Sequence, residues 1–231
     1  MSNSPGGQMA TRPLHFIWIC DTSGSMAGQK IETLNTGVRE AIEQMQHVAL
    51  ENPNADVQVR VVTFSDGARW VVSQPTPVAS FQWTDLAAGG QTDMGKAMKL
   101  VADQMKIPPM SERALPPVLA LITDGQPTDD FAAGLRALMS ERWGQKAVRV
   151  AISVGHDTNL DTLQKFIGHS EIPPIEANNP EALVRSIRWV STAVLKAASS
   201  PASQPAGGTM PNVPVVVPPN LNAGSSPNDV W

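Results

Sequence analysis

Residues 16–25 read Phe16-Ile17-Trp18-Ile19-Cys20-Asp21-Thr22-Ser23-Gly24-Ser25, and the join between the two halves of this stretch decides the fold. The first half is short and continuously apolar, the pattern of a strand buried on both faces. The second half turns polar at once: Asp21, Ser23 and Ser25 alternate with Thr22 and Gly24. One carboxylate and two hydroxyls are thereby placed around a single point at the carboxyl end of a buried strand. Donors of oxygen alone suit a hard divalent cation, Mg²⁺ first and Mn²⁺ or Ca²⁺ next. This donor set offers no thiolate or imidazole, so zinc is a poor match.

Taken alone, D-x-S-x-S fits a helix cap as well as a metal site, because Asp and Ser both cap helices. Two further segments add to it. Gly89-Gly90-Gln91-Thr92-Asp93 offers a hydroxyl on a glycine-loosened loop, and Leu121-Ile122-Thr123-Asp124-Gly125 ends a second apolar run in a carboxylate.

Outward from this core, strand and helix patterns alternate. Strands are expected at 14–20, 57–64, 68–72, 118–123 and 148–154, with a brief edge strand at 172–175. Asp66-Gly67 supplies a hairpin turn between the second and third, making one strand antiparallel. Ile31, Leu34, Val38, Ile42, Met45 and Val48 recur at helical spacing. Further helices are expected at 94–105, from a Thr128-Asp129 cap to Trp143, at 160–167 and at 180–195. Such alternation predicts an α/β fold: a mostly parallel sheet of about six strands, helices on both faces. In such sheets ligands sit beyond the carboxyl ends of the strands, where the strand order reverses. Asp21, Thr92 and Asp124 would meet there.

Composition narrows the function. At 231 residues the chain holds one ample domain, and its 42% hydrophobic content is ordinary for a globular protein. A net charge of −4 gives no electrostatic footprint for nucleic acid. The single cysteine, Cys20, lies inside a strand and reads as a small buried hydrophobe. The first residues lack the pattern of a secretory signal, and no apolar run approaches the roughly 20 residues of a membrane helix. A cytoplasmic location is the expectation. Residues 1–10 read as a flexible start, and 11–197 as the folded domain. Residues 198–231 hold seven of the 20 prolines and one charge, Asp229, predicting an extended or disordered tail. Its apolar stretch 213–219 fits either an idle linker or a docking peptide.

Enzymatic readings find little support. A haloacid-dehalogenase-type phosphatase places D-x-D after its first strand, but here the third position is Ser23, leaving no second carboxylate as acid. Around Ser25 the neighbours two away are Ser23 and Ala27, so no nucleophile elbow is formed. Glycine-rich phosphate loops are absent. His15, His47, His156 and His169 show no metal-ligand spacing.

D-x-S-x-S, the glycine-preceded Thr92 and the T-D-G at Asp124, in this order, resemble the metal-ion-dependent adhesion site of the von Willebrand factor A domain family. The resemblance covers roughly residues 11–197. It implies a Rossmann-like fold in which Ser23, Ser25 and Thr92 coordinate Mg²⁺ directly or through water, with Asp21 and Asp124 acting largely one layer out. It also implies that an Asp or Glu of a partner protein completes the coordination, at about 2.1 Å for Mg²⁺. Met26, Gly90 and Asp93 lie at the rim as candidate partner contacts. Met26 fits local packing equally well, and Asp93 also fits as the cap of the following helix. Within the family, I-W-I-C-D-T-S-G-S-M, K-I-E-T-L-N and G-G-Q-T-D-M-G-K-A-M look most like bacterial TerY/YegL-type proteins of tellurium-resistance and stress operons. That similarity implies an adaptor linked to a serine/threonine kinase-like protein and a PP2C-type phosphatase. A co-factor domain of an AAA-ATPase or chelatase complex is the alternative, with a Mg²⁺-dependent phosphatase-like enzyme behind it. Because Ser23 and Asp124 are loop residues in this reading, both are expected outside the core.

Overall fold

A computed structural model describes residues 11–52, 54–156 and 158–199. Six strands, β1 (Arg12–Asp21), β2 (Ala55–Ser65), β3 (Gly67–Pro77), β4 (Val118–Thr123), β5 (Val148–Val154) and β6 (Ile175–Ala177), form one sheet in the order β3-β2-β1-β4-β5-β6. Among the described residues, only the β2–β3 hairpin is antiparallel. The fold is the Rossmann-like one expected, and its strand order reverses between β1 and β4. Cys20 pairs with Ile122, which sets the carboxyl ends of these two central strands level.

Side chains of β1 alternate between two cores, as the period of a strand requires. Leu14, Phe16, Trp18 and Cys20 face α1 (Gln29–Glu51), through Leu34 and Val38. Ile17 and Ile19 face the opposite layer, where Met94, Met98 and Val101 come from α2 (Met94–Ala102). That layer continues with Phe131 and Leu138 of α3 (Phe131–Ser140), Trp143 of α4 (Arg142–Lys146), and Leu163 and Phe166 of α5 (Leu160–Ile167). Leu183 and Ile187 of α6 (Pro180–Trp189) and Leu195 of α7 (Leu195–Ser199) complete the α1 side. Both sheet faces are covered, which is why the central strands are apolar throughout.

Helices α2 and α3 cross with backbones almost touching. A methyl group on Gly134 would lie 2.3 Å from the Gly95 carbonyl oxygen, and one on Gly95 would lie 2.5 Å from that of Asp130. Hydrogen is the only side chain that fits at either position.

Several boundaries differ from expectation. The helix expected at 94–105 ends at Ala102, and the one expected to reach Trp143 breaks at Glu141, whose ψ of 142° is extended. Its cap is Asp130, whose side chain accepts the Ala133 amide, rather than Thr128-Asp129. The edge strand expected at 172–175 lies at Ile175–Ala177, because Pro173 and Pro174 have no amide to donate to a ladder. The last helix opens into a π turn at Val190–Val194, then closes as α7. Ser186, Ser191 and Thr192 hydroxyls there bond back to the carbonyls of Ala182, Ile187 and Arg188, a competition that loosens helical turns. Helix runs to Ser199, two residues into the stretch read as tail; the remaining readings for 1–10 and 200–231 lie outside the described residues.

Candidate metal centre

The site is assembled from three loops at the carboxyl end of the sheet. Asp21 closes β1 and is fully buried. One of its oxygens accepts the Ser23 amide at 2.8 Å, the other the Thr123 hydroxyl at 2.5 Å. Both oxygens are thus engaged by the protein. Burial pushes this carboxyl upward in pKa; the bonds from Ser23 and Thr123 oppose that, and nearby Asp124 adds to it.

Asp124, just past β4, is held in the same manner. The Ser25 hydroxyl donates to Oδ1 at 2.7 Å and the Lys30 ammonium to Oδ2 at 2.6 Å. The Ser23 and Ser25 hydroxyl oxygens lie 3.0 Å apart, so Ser25 links Ser23 to Asp124.

Thr92 comes from the third loop, which is pinned on every side. Its amide donates to Thr128 Oγ1 and its carbonyl accepts the Thr128 amide, each at 3.0 Å. The Gly24 amide donates to the Gly90 carbonyl at 2.9 Å, tying the Thr92 loop to the D-x-S-x-S turn. Asp66 accepts the Gln91 amide at 2.9 Å. Gly90 carries a φ of +87°, and a methyl there would lie 2.7 Å from Asp66 Oδ2, so conformation and space both require glycine.

The donor set fits a divalent cation. A methyl on Gly125 would sit 3.5 Å from Thr92 Oγ1 and 3.8 Å from Asp21 Oδ2, so hydroxyl and carboxylate of separate loops face one small space. Two carboxylates converge beside three hydroxyls, and a cation relieves their mutual repulsion. No group of three or more His, Cys, Asp or Glu suited to a metal occurs among the described residues. A cation here would rest on hydroxyl oxygen, with Ser23, Ser25 and Thr92 as the candidate ligands and Asp21 and Asp124 behind them.

The residues expected to meet do meet, with differences around them. Ser23 and Asp124 are 1% and 2% exposed, not outside the core as expected: the level ends of β1 and β4 draw both under the loops. Met26 is fully buried against the α1 side, so of its two readings packing is the one found. Asp93 precedes α2 but does not cap it. Its carboxylate accepts the Gly67 amide and the Lys96 ammonium, and Lys96 holds its pKa below the usual range. The cap is Asp129, accepting the amides of Gly95 and Lys96. Trp18 is wholly core.

Lys30 is the residue that motif reading passed over. It stands in the first turn of α1, where a cation opposes the helix dipole. That misplacement is the one sequence signal that a nearby carboxylate compensates it.

Residues 17–183 match the family model for the von Willebrand factor type A domain. The chain belongs to that family. Among solved structures, it is similar to a von Willebrand factor type A protein from Catenulispora acidiphila, with 18% identity and a TM-score of 0.62 over 80% of this chain and 43% of that one. The ArnB paralog VWA2 from Sulfolobus acidocaldarius gives 18% identity and a TM-score of 0.56, over 76% and 44%. Proximal thread matrix protein 1 from the mussel byssus, with a zinc-occupied MIDAS motif, gives 17% identity and a TM-score of 0.60, over 80% and 48%. This von Willebrand factor A chain therefore spans less than half the length of these three relatives. A comparison with curated protein sequences gives no match. Among the described residues, no helix of this von Willebrand factor A protein is long and apolar enough to cross a membrane.

Proposed function

We propose that the chain is a metal-dependent protein-interaction module whose cation, Mg²⁺ before Mn²⁺ or Ca²⁺, is completed by an Asp or Glu of a partner protein. The observation that carries this reading is the occupancy of both carboxylates. Each oxygen of Asp21 and Asp124 already accepts a hydrogen bond, from Ser23, Thr123, Ser25 or Lys30, which favours the neutral hydroxyls as the groups that face the ion. Hydroxyl ligands leave most of the ion's charge uncancelled, which favours an incoming carboxylate. The zinc-occupied motif of the mussel relative supports a divalent cation at this place in the fold.

Binding is the role this reading favours, since the two carboxylates nearest the hydroxyls, Asp21 and Asp124, are each already hydrogen-bonded within the protein. At a finer grain, the likeness to TerY/YegL-type proteins supports a cytoplasmic adaptor in a stress or phosphosignalling system, with a kinase-like protein and a PP2C-type phosphatase as partners.

The test is a pull-down with tagged protein in Mg²⁺ and again in EDTA, repeated with Ser25→Ala. Partners lost in both EDTA and the variant support the reading. Partners retained in both overturn it and move recognition to another surface.

A further inference from the structure

Lys30 places a fixed positive charge inside the candidate metal centre. Its ammonium lies 2.6 Å from Asp124 Oδ2, with the Lys30 side chain 20% exposed and that of Asp124 0%. The pair is nearly enclosed, so its Coulomb interaction is screened far less than at a surface. Resting on the cation reading above, we infer that Lys30 sets the charge of the loaded site, weakening the hold on the metal and strengthening the hold on the partner's carboxylate.

Asp21 and Asp124 carry two negative charges and Lys30 one positive, a net of −1 for the empty ring. A divalent cation brings the ring to +1, and an incoming carboxylate brings it to zero. Without Lys30 the same steps run from −2 to zero to −1. The loaded site would then be neutral, and the partner's carboxylate would enter without net attraction. Charges one layer out do not change between these cases: Asp66 holds the Gln91 amide, Asp93 pairs with Lys96, and Asp129 caps α2.

Lys30 also sits where a cation is unfavourable to its own helix, a cost that its ion pair with Asp124 offsets. It sits in the first turn of α1, beside the positive end of the helix dipole. A neutral residue there would suit the helix better. A purely structural brace for Asp124 could be supplied by an uncharged donor.

The experiment is titration calorimetry of Mg²⁺ into wild-type, Lys30→Gln and Lys30→Arg protein, in chloride and again in acetate at equal ionic strength, with circular dichroism to confirm folding. Acetate stands in for the partner carboxylate, and coupling between the two ligands is reciprocal. Lys30→Gln, which keeps a donor toward Asp124, is expected to bind Mg²⁺ roughly tenfold more tightly in chloride and to lose the tightening that acetate gives wild type. Lys30→Arg should behave as wild type. If wild type binds Mg²⁺ but Lys30→Gln binds it equally or more weakly, the charge role is overturned while the cation reading stands. If none of the three takes up Mg²⁺, the cation reading fails and takes this inference with it. If only Lys30→Gln takes it up, Lys30 excludes the ion from the wild-type site, and both the cation reading and the tuning role of Lys30 are overturned. Should Lys30→Gln not fold, Lys30→Met is read by the same criteria.

Discussion

The carboxylate of Asp129, in the loop ahead of α3, accepts the amide of Gly95 in the first turn of α2 at 2.8 Å. Its second oxygen takes the Lys96 amide, also at 2.8 Å. One helix is thus capped by the loop that leads into another, and that loop also holds Thr92 through Thr128. Asp129→Ala should lower stability by about 1 kcal/mol, the usual cost of a lost cap. It should also weaken Mg²⁺ binding, because the Thr92 hydroxyl loses its fixed position. Urea unfolding and Mg²⁺ titration on one preparation check both effects.

Asp124→Asn keeps the shape of the side chain and removes its charge. The Ser25 hydroxyl keeps a carbonyl acceptor, whereas Lys30 loses its counter-ion. Mg²⁺ affinity is expected to fall by at least tenfold, with circular dichroism unchanged. Because Asp124 is 2% exposed, Asp124→Ala should in addition lower the unfolding midpoint. Unchanged affinity in the Asn variant would remove Asp124 from the site.

Gly90→Ala combines a disfavoured φ of +87° with a methyl 2.7 Å from Asp66 Oδ2. A destabilisation of about 1–3 kcal/mol is expected. Shortening the opposing residue with Asp66→Ala should relieve the crowding but not the backbone strain. The double variant is therefore expected to recover only part of the loss in a chemical denaturation series.

His15 supplies a pH test remote from the site. Burial, with Arg60 adding to it and Asp56 opposing, lowers its pKa from 6.5 to about 4. A depressed histidine is stable when neutral: the unfolded chain takes up its proton below pH 6.5, the folded one only near pH 4. Its contribution is complete above pH 6.5 and is lost as pH falls toward 4, a change of about 3 kcal/mol. His15→Leu should flatten unfolding free energy across that window. A slope equal to that of wild type would show that other groups set the acid limit.

Much of this was legible locally. β1 and β4 are short apolar runs that end abruptly in Asp21-x-Ser-x-Ser and Thr-Asp124-Gly, so strand, loop and donor set could be read from neighbours alone. Contacts between distant segments were not legible. Lys30 reaches a carboxylate 94 positions away, and Thr128 fixes an amide 36 positions away. Asp93 and Asp129 show the limit clearly: both precede helices, and either could cap by sequence. The cap of α2 comes from Asp129, because the Gly95–Gly134 crossing brings its loop against that helix, while Gly67 and Lys96 engage Asp93. The π turn in the last helix depends on hydroxyl bonds that periodicity does not register.

The sheet's two outer strands close it to growth. β3 carries Pro75 and Pro77, and its pairing with β2 shifts register twice between Val59 and Val62. On the far side β6 is three residues long and follows Pro173-Pro174. Neither margin presents a long, flat ladder to a visiting strand. Capture of extended peptides by main-chain pairing, and polymerisation by the same route, are both disfavoured by this build. On the proposed function, recognition would fall instead to the loops above the strands, where side-chain chemistry rather than backbone geometry selects what is held.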